Sequence, residues 1–343
     1  MHCNRAVARL GRLSRHFHSF AGRTPFSGSM IMASDIEQYL RAVCRSRFTG
    51  SGEPECVHPP RTGRFNDSLF FVMDGRPLVF RMAPRSDQGF LFYEVGMMAQ
   101  EPEIHSLVQA HTSVPVPKIL LYDDSGRIAP RPYLIMERLP GTPFSQSVGT
   151  STDDVYRQVG RHLRQIHGIT RDRFGYLGAH HPTAACETWG EAFEVMWNRL
   201  LDDIFAWDGY TRAQADRFRT LLDRDRALFE RHIPSSLLHM DVWAENILVD
   251  NSGQVTGIID WDRVLWGDPE IEFAVLDYCG VSIPSFWEGY GADRDTSPPA
   301  RRRGLYYYLY EIQKYIVIER GRRNNIAVAD QYRWQAMRIA DRM

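Results

Sequence analysis

The chain is almost without lysine: only Lys118 and Lys314 occur, and arginine supplies the rest of the positive charge. It also lacks net charge. With 41 basic and 42 acidic residues it stands at −1, so no global basic field invites nucleic acid. No apolar run approaches the roughly 18 residues that a spanning helix requires, so no membrane segment is expected. Cysteine is sparse and scattered. Cys3, Cys44, Cys56, Cys186 and Cys279 contain no C-x-x-C, which argues against zinc and against a disulfide framework and fits a reducing compartment. No internal repeat is visible. What remains is a 343-residue chain with 43% hydrophobic residues, enough for one large core or two ordinary ones.

Residues 1–33 stand apart. They hold Arg5, Arg9, Arg12, Arg15 and Arg23 and no acid. That profile predicts a disordered or targeting segment, either a mitochondrial transit peptide or translated sequence upstream of starts at Met30 or Met32. Cytoplasmic residence is expected, with a mitochondrial one as the alternative. Order is expected from Ser34, a cap for a helix carrying Ile36, Tyr39, Leu40 and Val43.

The densest chemistry lies between His239 and Asp260. Asp241 is followed five residues later by Asn246, and Asp260 ends an apolar strand, Gln254 to Ile259. The cluster Asp250-Asn251-Ser252-Gly253 between the strands reads as a turn. A hairpin there returns Asp260 to the side of Asp241 and Asn246. One carboxylate to orient a hydroxyl, plus an amide oxygen and a carboxylate to hold magnesium on a nucleotide, is the equipment of phosphoryl transfer. His239 is expected to be a packed prop for the loop.

His-x-Asp-x4-Asn, the turn, and then Ile259-Asp260-Trp261-Asp262 with Gly267-Asp268-Pro269 resemble the aminoglycoside phosphotransferase family, small-molecule kinases with a protein-kinase-like fold. The resemblance implies an α+β, bilobal chain: a small β-rich N-lobe and a larger helical C-lobe. It makes Asp241 the catalytic base and Asn246 and Asp260 the metal ligands, with ATP and Mg2+ as cofactors. Asp262 is a weaker carry-over, and Asp268 is expected to cap or brace a loop.

The upstream half supplies a nucleotide lobe, placed at 34–137. Leu69–Met73 and Pro77–Met82 read as strands joined by Asp74-Gly75, a strong hairpin signal. Thr62 to Ser68 is a candidate phosphate loop with a single glycine. By the resemblance, Arg81 takes the place of the phosphate-holding lysine, and Glu94 is offered as its partner. Tyr133–Glu137 resembles the hinge strand, so Met136, Glu137 and Arg138 are candidates for binding adenine.

Residues 138–343 read as the helical C-lobe carrying the catalytic loop and acceptor pocket. Helices are expected from Thr152, over Trp189–Trp207, Phe218–Phe229, Glu272–Tyr278 and Gly304–Glu319. For a cationic aminosugar the candidate contacts are Asp202, Asp203, Asp208, Glu270 and Glu272, with Trp197, Trp207 and Trp287. The expected function is transfer of the γ-phosphoryl group of ATP to a hydroxyl of a small molecule: an aminoglycoside, a hygromycin-like antibiotic or another small alcohol. A monomer or weak dimer is expected. The alternative is a non-catalytic nucleotide-binding pseudokinase module. A protein kinase is disfavoured, because Trp261-Asp262 follows Asp260 and no Ala-Pro-Glu appears.

Overall fold

The computed structural model describes residues 29–62 and 65–343. The first helix, α1 (Ser29–Arg47), begins five residues before Ser34. Residues 1–28, most of the expected leader, lie outside the described residues. So do Gly63 and Arg64 of the candidate phosphate loop.

The N-lobe is a five-stranded antiparallel sheet in the order β1-β2-β3-β5-β4. Its strands are β1 (Glu55–Thr62), β2 (Asp67–Met73), β3 (Arg76–Met82), β4 (Ile119–Asp123) and β5 (Tyr133–Glu137). Asp74 and Gly75 both take positive φ, 51° and 73°, as a two-residue hairpin turn between β2 and β3 demands. Alternation then sorts β3 into two faces. Leu78, Phe80 and Met82 pack with Ile36, Leu40 and Val43 of α1. Val79 and Arg81 point the other way, toward the second lobe, where Val79 joins Met98, Leu134 and Met136 in a small apolar cluster. Helix α2 (Glu101–His111) lies between β3 and β4 in the chain. It sends Ile104 and Val108 into a core shared with the C-lobe.

The C-lobe is helical: α3 (Thr152–Ile166), α4 (Trp189–Ala206), α5 (Arg212–Asp225), α6 (Pro269–Cys279), α7 (Pro284–Tyr290), α8 (Pro298–Val317) and α9 (Ile326–Ala340). A π-helical turn, Ile318–Arg322, links the last two. Caps fix the starts. Ser151 accepts from the Asp154 N–H, and Thr188 and Thr211 form capping boxes with Glu191 and Gln214. Gly160 and Gly289 let α3 and α7 cross almost backbone to backbone. A Cβ on Gly160 would sit 2.2 Å from the Phe286 carbonyl oxygen, and one on Gly289 1.9 Å from that of Arg157. The main core gathers Trp189, Phe193, Trp197, Tyr306, Tyr307 and Tyr310. Burying each such ring contributes about 1.5–3 kcal/mol, which holds α4, α5 and α8 together around it.

Two three-stranded sheets carry the chemistry. Strand β9 (Ile247–Val249) lies between β10 (Val255–Ile258) and β6 (Thr142–Pro143). Strand β8 (Ser235–Leu238) lies between β11 (Leu265–Gly267) and β7 (Thr170–Arg171). The 239–246 loop therefore leaves β8 and enters β9, while the 259–264 loop leaves β10 and enters β11. Pairing of β9 with β10 and of β8 with β11 sets the two loops side by side.

Candidate active site

Backbone bonds clip the two loops directly. Ile259 N–H donates to the Asn246 carbonyl at 3.0 Å. His239 is fully buried. Its Nδ1 accepts from the Asp241 N–H at 3.2 Å, and its Nε2 donates to the Ile259 carbonyl at 3.1 Å. Each ring nitrogen thus has one partner of the right kind for a neutral imidazole, and burial lowers the His239 pKa accordingly. The ring leans on Trp261 at 4.4 Å. His239 is the prop the sequence predicts.

Beneath the loop sits Glu272, fully buried on α6. It accepts from the Met240 N–H at 2.7 Å and the His239 N–H at 3.3 Å, and it meets His167 Nε2 at 2.7 Å. Burial works most strongly against its charge, but His167, His239 and the Met240 N–H together outweigh it and lower the pKa. Met240 and Asp260 both hold positive φ, 64° and 71°, which costs on the order of 1–3 kcal/mol each for a residue with a side chain. Glu272 over-determines the first of these. It was expected among the acceptor contacts; its place is under the loop, anchoring it.

The Asn246 Nδ2 donates to the Asp241 carbonyl at 2.9 Å and lies 3.2 Å from Asp241 Oδ2. The amide oxygen is the atom left over for a cation. Burial raises the Asp241 carboxyl above the usual carboxylate range, the charge of Asp260 adds to this, and Arg263 opposes it.

Arg81 is buried at the meeting of the lobes. One Nη donates to Glu101 at 2.9 Å; the other donates to Asp260 at 2.6 Å and Asp262 at 2.7 Å. Burial opposes its charge, but the three carboxylates outweigh that and raise its pKa. The partner offered from sequence, Glu94, is replaced by Glu101. Glu101 opens α2, beside Pro102, and the period-2 face of β3 aims Arg81 at that first helical turn. Asp262 is buried, accepts also from Asn66 Nδ2 at 3.0 Å, and is raised well above the carboxylate range by burial and by Asp260. Asn66 comes from the candidate phosphate loop, so that loop docks on the Asp262 side of the site.

Glu94 lies on the strap that joins β3 to α2, residues 83–100. It is fully buried; it accepts from the Leu91 N–H at 2.9 Å, stands 3.4 Å from Arg263 and pairs with Arg322. Arg263 Nη1 in turn stands 3.9 Å from Asp241 Oδ1. The strap runs across the C-lobe: Phe92 N–H donates to Asp203 at 2.7 Å, and Tyr93 stacks on Tyr176 at 4.4 Å. Sequence reasoning missed Glu101 and Arg263. Arg263 directly follows the Asp260-Trp261-Asp262 run, and that adjacency was the available signal.

The other acceptor candidates do not converge. Asp202 pairs with Arg219 at 2.6 Å, Asp203 holds the strap, and Glu270 is bound by Arg303 and Arg231 at 2.7 and 3.0 Å. Asp208 is exposed in the turn after α4. Trp197 is in the core, Trp207 packs near Gly321, and Trp287 packs on Phe273. Asp268 caps α6 through the Glu270 N–H at 3.0 Å and binds Arg231 at 2.7 Å, the bracing role predicted for it. At the hinge, the N–H groups of Glu137 and Arg138 donate to the carbonyls of Lys118 and Pro77. Met136 belongs to the small apolar cluster of the N-lobe, and the Arg138 guanidinium lies 4.4 Å from the centre of the Phe70 ring.

The model of the phosphotransferase enzyme family matches residues 57–305, which includes both the 239–246 and the 259–264 loop. The chain belongs to that family. A probable ketoamine kinase of Lactiplantibacillus plantarum is 25% identical over 255 residues, covering 74% of this chain and 85% of that one. Viomycin phosphotransferase of Streptomyces vinaceus is 31% identical over 151 residues, 42% of this chain and 49% of that one. Among solved structures, aminoglycoside phosphotransferase APH(4)-Ia, in a ternary complex with AMP-PNP and hygromycin B, superposes with a TM-score of 0.62 at 18% identity. The match covers 88% of this chain and 98% of that one. A putative fructosamine-3-kinase from Haemophilus somnus 129PT gives 0.63 at 16%, covering 87% and 96%. The α+β, two-lobed, protein-kinase-like fold expected from the sequence is therefore the fold of the chain.

Proposed function

We propose that the chain is an ATP-dependent kinase that phosphorylates a hydroxyl of a small molecule. The observation that carries this reading is the juxtaposition of Asp241, Asn246 and Asp260 on two clipped loops at the meeting of the lobes, with Arg81 reaching across from the N-lobe.

The donor set fits magnesium. Glu101, Asp260 and Asp262 meet a single guanidinium, so this side of the site carries excess negative charge. No group of three or more His, Cys, Asp or Glu side chains among the described residues makes a closed metal cage. Magnesium wants one or two protein oxygens and completes its shell with water and phosphate, and the Asn246 amide oxygen with Asp260 supplies that. When bound, the ion would neutralise charge on the transferring phosphoryl group.

The chain's own residues do the rest. Asp241 orients the acceptor hydroxyl and accepts its proton. Arg81, held by Glu101, steadies the phosphates, and Glu272 fixes the loop on which Asp241 rides. Val79, Met136 and Ile119 offer an apolar wall to adenine. With the N–H groups of Glu137 and Arg138 engaged in the sheet, hinge contacts to the base would fall to carbonyls and to the Leu139 N–H. Catalysis of this kind is positioning plus charge stabilisation.

The test is ATP consumption across a set of small alcohols with and without magnesium, beside calorimetry with Mg-AMP-PNP. Asp241→Asn should lower transfer by about 10²–10⁴-fold while Mg-AMP-PNP still binds. Full turnover in that variant, or turnover that survives chelation, removes the assignment. Nucleotide binding without turnover on any alcohol would favour the pseudokinase reading instead.

A further inference from the structure

The flank of Asp241 away from Arg81 is cationic and phenolic. Arg263 stands 3.9 Å from Asp241 Oδ1, too far for a hydrogen bond, and its side chain keeps 16% exposure. Arg263 and Arg322 share one carboxylate, Glu94, and the remaining positive charge of the trio faces Asp241 across this flank. Lys314 pairs with Glu311 on α8 and so adds no net charge, but its field also reaches the Asp241 carboxyl. Tyr93, Tyr176 and Tyr310 close the same region. Of the acidic residues that would suit a polycation, Asp202, Asp203, Glu270 and Glu272 are engaged elsewhere, by Arg219, by the strap, by Arg303 and Arg231, and by the 239–246 loop, and Asp208 is exposed in the turn after α4.

We propose that the acceptor is a small hydroxy acid whose carboxylate seats on Arg263 while its hydroxyl meets Asp241. The proposal rests on the kinase reading above and names the substrate class of that site. A hydroxyl within hydrogen-bond reach of Asp241 and a carboxylate within reach of Arg263 Nη1 can be joined by as few as about two to three bonds, the spacing in a 2- or 3-hydroxy acid. The hydroxyl oxygen bonds to the γ-phosphorus of ATP, the bond from that phosphorus to the β,γ-bridging oxygen breaks, the hydroxyl proton passes to Asp241, and ADP leaves with the bond's electron pair. Glu94 is a positioning residue: from the strap it holds the guanidinium that receives the carboxylate.

Glycerate, which carries hydroxyls at both positions, is compared as acceptor with glycerol, its neutral counterpart, and with hygromycin B as the cation. The expected kcat/KM for glycerate exceeds that for glycerol by about tenfold or more. Arg263→Gln should raise the glycerate KM by a similar factor, erase the preference over glycerol and leave the KM for Mg-ATP within about twofold. Arg263→Lys should recover part of the loss, and the wild-type preference stands as a test even if a variant fails to fold. Equal or better use of glycerol or hygromycin B overturns the proposal. A rise in the Mg-ATP KM of Arg263→Gln, equal for all acceptors, also overturns it by assigning Arg263 to the phosphates. Mg-AMP-PNP binding without glycerate turnover sinks the acceptor class alone; loss of Mg-dependent nucleotide binding sinks the kinase reading itself.

Discussion

The two flanks of the catalytic loop carry opposite charge. Toward the N-lobe, three carboxylates crowd one guanidinium. Toward the strap, two guanidiniums crowd one carboxylate. The first cluster is buried and keeps an excess of negative charge, while the extra guanidinium of the second faces Asp241, 3.9 Å away. Buried ions without partners cost several kcal/mol, so such imbalance points to ligands of complementary sign. In the kinase proposed above, this difference would divide the labour, with a cation and its phosphates on one side, an acceptor on the other, and Asp241 on the border.

The comparison breaks most sharply if each cluster loses the glutamate that holds its arginine. Glu101→Gln should weaken Mg-ATP, raising its KM by about 10- to 100-fold in steady-state kinetics, with acceptor KM little changed. Glu94→Gln should do the reverse to the two KM values, and should also lower stability by about 1–3 kcal/mol in chemical denaturation, since Arg263 and Arg322 lose their shared charge partner. If both variants perturb the same KM, the two flanks are one site and the division fails.

A smaller effect concerns protons. Asp241 is raised above the carboxylate range by burial, so the acid limb of the kcat/KM profile should fall at a higher pH than an ordinary aspartate gives, and the transfer step should be lost as Asp241 protonates. A limb at the ordinary aspartate value would show the carboxyl to be well solvated in the working enzyme.

The smallest effect lies under the strap. Burial raises Asp203 to about 6 in the folded chain, against an unfolded value near 4. Its ionisation therefore penalises folding: the penalty is absent below the unfolded value, grows as pH rises and is complete above about 6. Asp203→Asn keeps an oxygen for the Phe92 N–H and removes the charge. It should stabilise by about 1 kcal/mol at pH 7, an advantage that shrinks on acidification to pH 4 in denaturant titrations.

The proximity of Asp241, Asn246 and Asp260 in the candidate site was legible because they fall within 20 residues and are brought together by a short hairpin. Local rules reach that far. The starts of α3 and α4 were likewise written in caps, and the span of β5 in a short apolar run ending at Glu137. Glu101 was not legible: Ile104 and Val108 face a core assembled from α3, β8 and β9, which no local pattern announces. The first glutamate after β3, Glu94, was the natural candidate, but the strap carries it across to the C-lobe instead. The expected start of α5 at Phe218 was six residues late. Only Ala215 precedes Phe218 among the helix's buried positions, while the Thr211 capping box fixes the start. Arg263 was adjacent to the motif, but its direction is set by Glu94, 169 residues away.

The strap has a mechanical consequence. At Gly89 and Gly321 it meets the π-helical turn so closely that a methyl on Gly89 would fall 2.3 Å from the Arg322 nitrogen. The strap is continuous with β3 and α2, which carry Arg81 and Glu101. Lobes joined by such a rivet cannot gape independently of the wall that holds Arg263. In the kinase proposed above, release of ADP and release of phosphorylated product would therefore be coupled motions, pivoting where those two glycines touch.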